Sequence, residues 1–120
     1  FNPNANGEVR AIALQPGDNA VVLGGSFTTI NNTTRNRLAR VTSSGSLEAY
    51  NPNANNTVNA IAILGDGKMY VGGLFSTING TGSSSATTRN RLALLNADGT
   101  LDVGFTLEVN NEVRSLYRQA

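Results

Sequence analysis

Apolar residues fall in short runs closed by Gly, Asn, Asp or Ser, and the runs return in the same order. Val9-Arg10-Ala11-Ile12-Ala13-Leu14 returns as Val58-Asn59-Ala60-Ile61-Ala62-Ile63. Ala alternates with Ile or Leu, and both faces are nearly apolar. The pattern predicts a strand buried on two sides, thin on one face and thick on the other. Pro16-Gly17-Asp18-Asn19 and Asp66-Gly67 then mark a tight turn, Asp-Gly supplying the positive φ that a hairpin needs. A second strand, Ala20 to Gly25 or Lys68 to Gly73, ends in a glycine pair. Glycines inside a strand mark a bulge or a close backbone approach. A neighbouring unit pressed against that point is the expected cause, with Phe27 and Phe75 plugging the gap between units. A third strand spans Arg37 to Val41 or Arg91 to Leu95. The fourth and most polar, Ser46 to Tyr50 or Thr100 to Val103, is expected outermost. No stretch holds a 3.6-residue period for three turns, so no helix is predicted.

The anchors between the runs repeat as well. Asn2-Pro3-Asn4-Ala5-Asn6 returns as Asn51-Pro52-Asn53-Ala54-Asn55, and Arg35-Asn36-Arg37-Leu38-Ala39 as Arg89-Asn90-Arg91-Leu92-Ala93. Self-similarity at this period signals an array of supersecondary units. Residues 1–49 form one copy and 50–104 a second, and 105–120 open a third. Length differences fall in Gly- and Ser-rich loops, chiefly Gly82 to Thr87. Four antiparallel strands per copy, graded from most buried to most polar, describe a β-propeller blade. The predicted fold is all-β: two blades plus the first strand of a third. Propellers close with roughly four to eight blades, so two blades leave apolar end faces, and such faces imply a partner. Further blades of one polypeptide, a ring of several chains, or an open head-to-tail stack would each cover them. Val113-Arg114-Ser115-Leu116-Tyr117 is expected to begin the third blade or to pair with a neighbouring subunit, with Val113 and Leu116 as contact residues.

Composition narrows the function. Net charge is +1 and charged residues are 14% of the chain, with no basic run to steer nucleic acid or an anionic membrane. The chain has no Cys and no His, which removes thiolate nucleophiles, imidazole bases, disulfides and the usual zinc ligands. Absence of Cys fits bacterial secretion. No run reaches the roughly 20 apolar residues of a membrane span. A start at Phe1, in phase with the repeat, suggests a trimmed precursor or a piece of a longer protein.

The blocks Asp66-Gly67-Lys68, Gly72-Gly73, Phe75, Arg89-Asn90-Arg91-Leu92-Ala93 and Asn96-Ala97-Asp98-Gly99 resemble the delta-60 repeat, a family of β-propeller repeats in large bacterial secreted or surface proteins. The first copy departs at Gly17-Asp18-Asn19 and at Thr42-Ser43-Ser44-Gly45, and the third departs at Thr106-Leu107. The resemblance implies a propeller-like fold and a secreted or cell-surface setting. It implies no reaction, cofactor or catalytic residue.

Four arginines are the leading polar candidates. Arg35, Arg37, Arg89 and Arg91 could grip a carboxylate or phosphate ligand through their planar forks. They could equally tie each blade to its neighbour, through a carboxylate such as Asp66 or an aromatic face such as Tyr50. Recurrence in both copies favours the tie, because a site is usually made once and a structural device in every repeat. The Asn-rich corners could bind sugar hydroxyls or form Asx turns, and the turn reading is favoured. Asp98 and Asp102 form the only close Asp pair, too few for calcium, and flank a turn rather than face each other as a glycosidase pair. The Asn-x-Thr matches arise readily by chance in loops of this composition.

The sequence thus points to a non-catalytic secreted or surface module with no metal or cofactor. It is expected to associate through blade faces and strand edges with further copies or blades, Phe27 and Phe75 among the contacts. A carbohydrate- or protein-binding module is the alternative.

Overall fold

The computed structural model describes residues 4–106, and no helix occurs among them. The predicted contacts Val113 and Leu116 lie outside the described residues, as does all of the third copy after Thr106.

Copy one folds as β1 (Val9–Leu14), β2 (Val21–Gly25), β3 (Thr29–Ile30), β4 (Thr33–Thr34) and β5 (Leu38–Val41). Copy two repeats this as β6 (Val58–Ile63), β7 (Met69–Gly73), β8 (Thr77–Ile78), β9 (Thr87–Thr88) and β10 (Leu92–Leu95). Two antiparallel sheets result, ordered β1-β2-β5 and β6-β7-β10. The fourth segment of each copy joins its sheet through one bridge, Val41 to Leu47 and Leu95 to Leu101. Its next residue also bonds inward, Glu48 N–H to Arg40 O at 2.9 Å and Asp102 N–H to Leu94 O at 3.0 Å.

The glycine pairs lie where the first strand bulges. The β1–β2 register shifts between Val9 and Ala11, and the β6–β7 register between Val58 and Ala60. A Cβ on Gly25 or Gly73 would run into the carbonyl oxygen of Glu8 or Thr57. The bulge brings the first strand onto the second too closely for any side chain.

A feature hidden from the apolar pattern is the small hairpin β3–β4. Asn31 and Asn32 have φ of 50° and 64°, the left-handed pair that a two-residue hairpin turn requires. In copy two the same hairpin, β8–β9, carries the extra Gly- and Ser-rich residues in its connection, 79–86. Each hairpin is bonded to the Asn-rich corner of its own copy, bridging Ala5 to Ile30 and Ala54 to Ile78.

The sheets stack face to face. Blade 1 turns Ala11, Ala13, Val22 and Leu38 toward blade 2. Blade 2 answers with Val58, Ile61, Met69, Val71, Phe75 and Leu95, and these form one buried cluster. On its other face blade 1 holds a smaller cluster of Leu23, Phe27, Ile30, Ala39 and Val41.

Candidate functional site: the blade faces

The two clusters are the same surface at two stages of cover. Val9, Ile12, Leu23, Phe27, Ile30 and Val41 hold the repeat positions of Val58, Ile61, Val71, Phe75, Ile78 and Leu95. In blade 2 that surface lies under blade 1, and Ile61 is 9% exposed. In blade 1 only the side of β1 turned away from blade 2 is open: Ile12 is 66% and Leu14 63% exposed, while Leu23, Phe27, Ile30 and Val41 are already buried. The prediction of a first strand buried on both sides therefore holds for β6 and not for β1, whose outward residues alternate with half-buried ones. Phe27 and Phe75 are both fully buried. Phe75 sits in the junction cluster, whereas Phe27 is covered by its own blade.

Close approach at the junction depends on Gly24. A Cβ there would stand 2.7 Å from Val58 Cγ1 and 3.1 Å from Ile61 Cδ1. Val58 and Ile61 are thus knobs, and the glycine with its flanking Ala11 and Ala13 is the hole.

A polar clamp closes the turn-side rim of the junction. Gln15, 6% exposed, donates through Nε2 to Gly67 O at 3.1 Å and Ala97 O at 3.0 Å. Arg40 donates through Nη1 to Gln15 Oε1 and to Ala97 O, both at 2.7 Å. Its Nη2 pairs with Glu48 at 3.3 Å, and its guanidinium lies 4.8 Å from the Tyr50 ring centroid. Tyr50 is buried in the junction and donates to Met69 Sδ at 2.8 Å. Burial pushes its phenol well above the ordinary range, with Arg40 pulling back only in part. This clamp is made once, since Leu64 and Leu94 hold the places of Gln15 and Arg40 in copy two. A cavity of about 470 Å³ opens beside it, between the turns at Gln15–Asp18 and Gly65–Gly67. Both clamp side chains border the cavity, and all their polar atoms except the buried Arg40 Nε are bonded to protein partners.

The four candidate arginines do not meet at one point. Arg35 bonds Thr34 O at 2.8 Å and Glu48 O at 3.1 Å, and Arg89 bonds Thr88 O at 2.9 Å and Val103 O at 3.4 Å. Each fastens the start of the third strand to the fourth segment of its own blade. Arg37 and Arg91 sit at φ of 67° and 70°, where the backbone turns into the third strand. Their N–H groups bond Phe27 O at 3.0 Å and Phe75 O at 2.9 Å. Arg37 also reaches across to Ala54 O at 3.4 Å, beside a 2.8 Å bond from Asn36 to Asn53. The residue that stacks on Tyr50 across the junction is Arg40, a position the repeat pattern did not mark.

The Asn corners are similarly occupied. Asn6 Oδ1 accepts from the N–H groups of Thr28 and Thr29 at 2.8 and 2.9 Å. Asn55 Oδ1 accepts from Ser76 and Thr77 at 2.8 and 3.0 Å. Asp98 accepts from Thr100, and Asp102 from Lys68 and Gly104. These bonds hold both carboxyls below their ordinary range, the wrong direction for a general acid near neutral pH. No metal-holding cluster of His, Cys, Asp or Glu occurs among the described residues.

Two stacked antiparallel sheets, each a strand meander graded outward from its innermost strand, define a β-propeller repeat protein. The family profile described as a β-propeller domain of unknown function (DUF5122) matches residues 17–49 and 64–105, more than half of the chain. The chain belongs to that family. No curated protein and no solved structure matches it significantly.

Proposed function

We propose that this chain is a non-catalytic structural module, secreted or displayed at a cell surface, that joins further copies or blades through its blade faces and strand edges. The observation that carries the reading is the pair Ile12 and Ile61, one residue type at one repeat position, 66% exposed in blade 1 and 9% in blade 2. Burying a side chain of this size is worth about 1.5–3 kcal/mol. Association costs about 4–15 kcal/mol in lost freedom, so Ile12 and Leu14 alone cannot hold a partner. A partner must add contacts beyond these two side chains, because Leu23, Phe27, Ile30 and Val41 are already buried within the chain. The delta-60-like blocks of the second copy support the secreted or surface setting, and the absence of Cys fits it.

Light scattering over a range of concentrations, with electron micrographs of the same samples, tests this reading. Rings, filaments or a mass that rises with concentration are expected. A compact monomer that persists at high concentration contradicts it.

A second reading, a carbohydrate- or protein-binding propeller module, draws on the cavity beside Gln15 and Arg40, the polar pair made once. Their bonds to Gly67 O and Ala97 O favour the clamp role over the ligand role.

A further inference from the structure

We propose that Gln15 and Arg40 form a specificity lock: the pair decides which blade follows blade 1, and in which register, while adding little to stability. The lock is independent of the assembly reading and operates within one chain. The apolar contacts cannot make that choice. The hole of Ala11, Ala13 and Gly24 recurs in copy two as Ala60, Ala62 and Gly72, and the knobs Val58 and Ile61 recur in copy one as Val9 and Ile12. Either copy therefore offers the same apolar fit in either order. The clamp is the part that differs. Its donors, Gln15 and Arg40, stand where copy two has Leu64 and Leu94, and its acceptors in blade 2 are the turn carbonyls Gly67 O and Ala97 O. Reversed blade order would set two leucines where the two donors belong. A blade seated out of register would leave Gln15, 94% buried, without its partners, at the full desolvation cost of its amide. Correct pairing gains less. Gly67 and Ala97 border the cavity of about 470 Å³, so once the donors are removed water can bond their carbonyls instead. Glu48, which Arg40 also holds, is within reach of water, its side chain 26% exposed. A large cost for the wrong neighbour beside a small gain for the right one is how a buried polar group specifies register.

Copy two supplies the test, since leucine at both positions is already part of this repeat. Gln15→Leu, Arg40→Leu and the double variant are compared in an Ile12→Asp/Leu14→Asp background, which keeps association through the open face out of the measurement. Each single variant leaves the other member of the pair without its partner, and its urea midpoint is expected to fall. The double variant is expected to return to the midpoint of the background chain or exceed it, a non-additive result. Methyl NMR is the decisive readout. Val22, Leu38, Val58 and Val71 meet at the junction and are expected to give one set of signals in the background chain. In the double variant they are expected to give two or more sets, or signals broadened by exchange between registers. A double variant that unfolds, or whose midpoint stays below that of the background chain, overturns the proposal by making the clamp a stabilising contact. A restored midpoint with one set of junction signals also overturns it, because the blades then find a single register without the pair. Self-association of the parent chain is measured separately, so failure of the assembly reading leaves this result standing.

Discussion

The Cγ1 methyl of Val58 occupies the space in which a side chain at Gly24 would begin, 2.7 Å from the ideal Cβ position. Blade 2 is seated on blade 1 through this contact, so Gly24, unlike Gly25, must be glycine for a reason outside its own blade. Gly24→Val is predicted to destabilise the chain by about 1–3 kcal/mol through overpacking, read as a lower urea midpoint. Unchanged stability would mean that the blades separate freely.

Gln15 is the polar residue on which the rim clamp turns. Gln15→Leu, the residue found at the equivalent position of copy two, removes the donor to Gly67 O and the acceptor for Arg40. The cost is predicted at about 1–3 kcal/mol, that of leaving buried polar atoms unpaired. Thermal unfolding measures it, and a neutral result would show that the clamp is dispensable.

Tyr50 links stability to alkaline pH. Its folded-state pKa is raised by burial, so its contribution is complete below the unfolded phenol value, about 10. It is lost as pH climbs from there toward the folded value. Urea midpoints are predicted to fall above about pH 10 in the parent chain. Tyr50→Phe keeps the ring, loses the Met69 bond at a cost of about 1 kcal/mol or less, and flattens that part of the profile.

The opposite sign holds at Asp102, whose carboxyl is held low first by its hydrogen bond from Lys68. Its contribution is present above the unfolded carboxylate value and is lost as pH falls through the folded one. NMR titration is predicted to place Asp102 below the ordinary Asp value, and Lys68→Gln to move it back up. An unmoved value would show that Lys68 does not hold it.

The Asn corners offer a paired test, because Asn6 and Asn55 make the same bonds in different blades. Asn55→Ala is predicted to cost about 1 kcal/mol through two unpaired backbone N–H groups, and Asn55→Asp less because an acceptor remains. Amide exchange at Ser76 and Thr77 is the direct readout.

Strand content was legible because β1 and β6 share their apolar residues position by position, and β5 and β10 do so except at Arg40 and Leu94. The glycine pairs announced the bulge for the same reason. The hairpin β3–β4 was not legible, since two-residue strands are too short to show a period, although consecutive Asn31 and Asn32 were its turn signal. Gln15 and Arg40 were missed for a different cause. These two stand where the other copy has leucine, so recurrence does not mark them. Polar residues that interrupt a repeat were the available signal for the clamp. Nor could the pattern alone distinguish β1 from β6, because the difference in their exposure comes from what lies over each strand.

The central claim is that the outward face of blade 1 is an interface awaiting its cover. Sedimentation velocity of the parent chain and of Ile12→Asp/Leu14→Asp, over the same concentration range, tests it most directly. Both side chains are already exposed, so the variant is predicted to keep the parent's circular dichroism and thermal midpoint while its self-association disappears. A parent that sediments as a monomer at every concentration, or a variant that associates as strongly as the parent, would contradict the account.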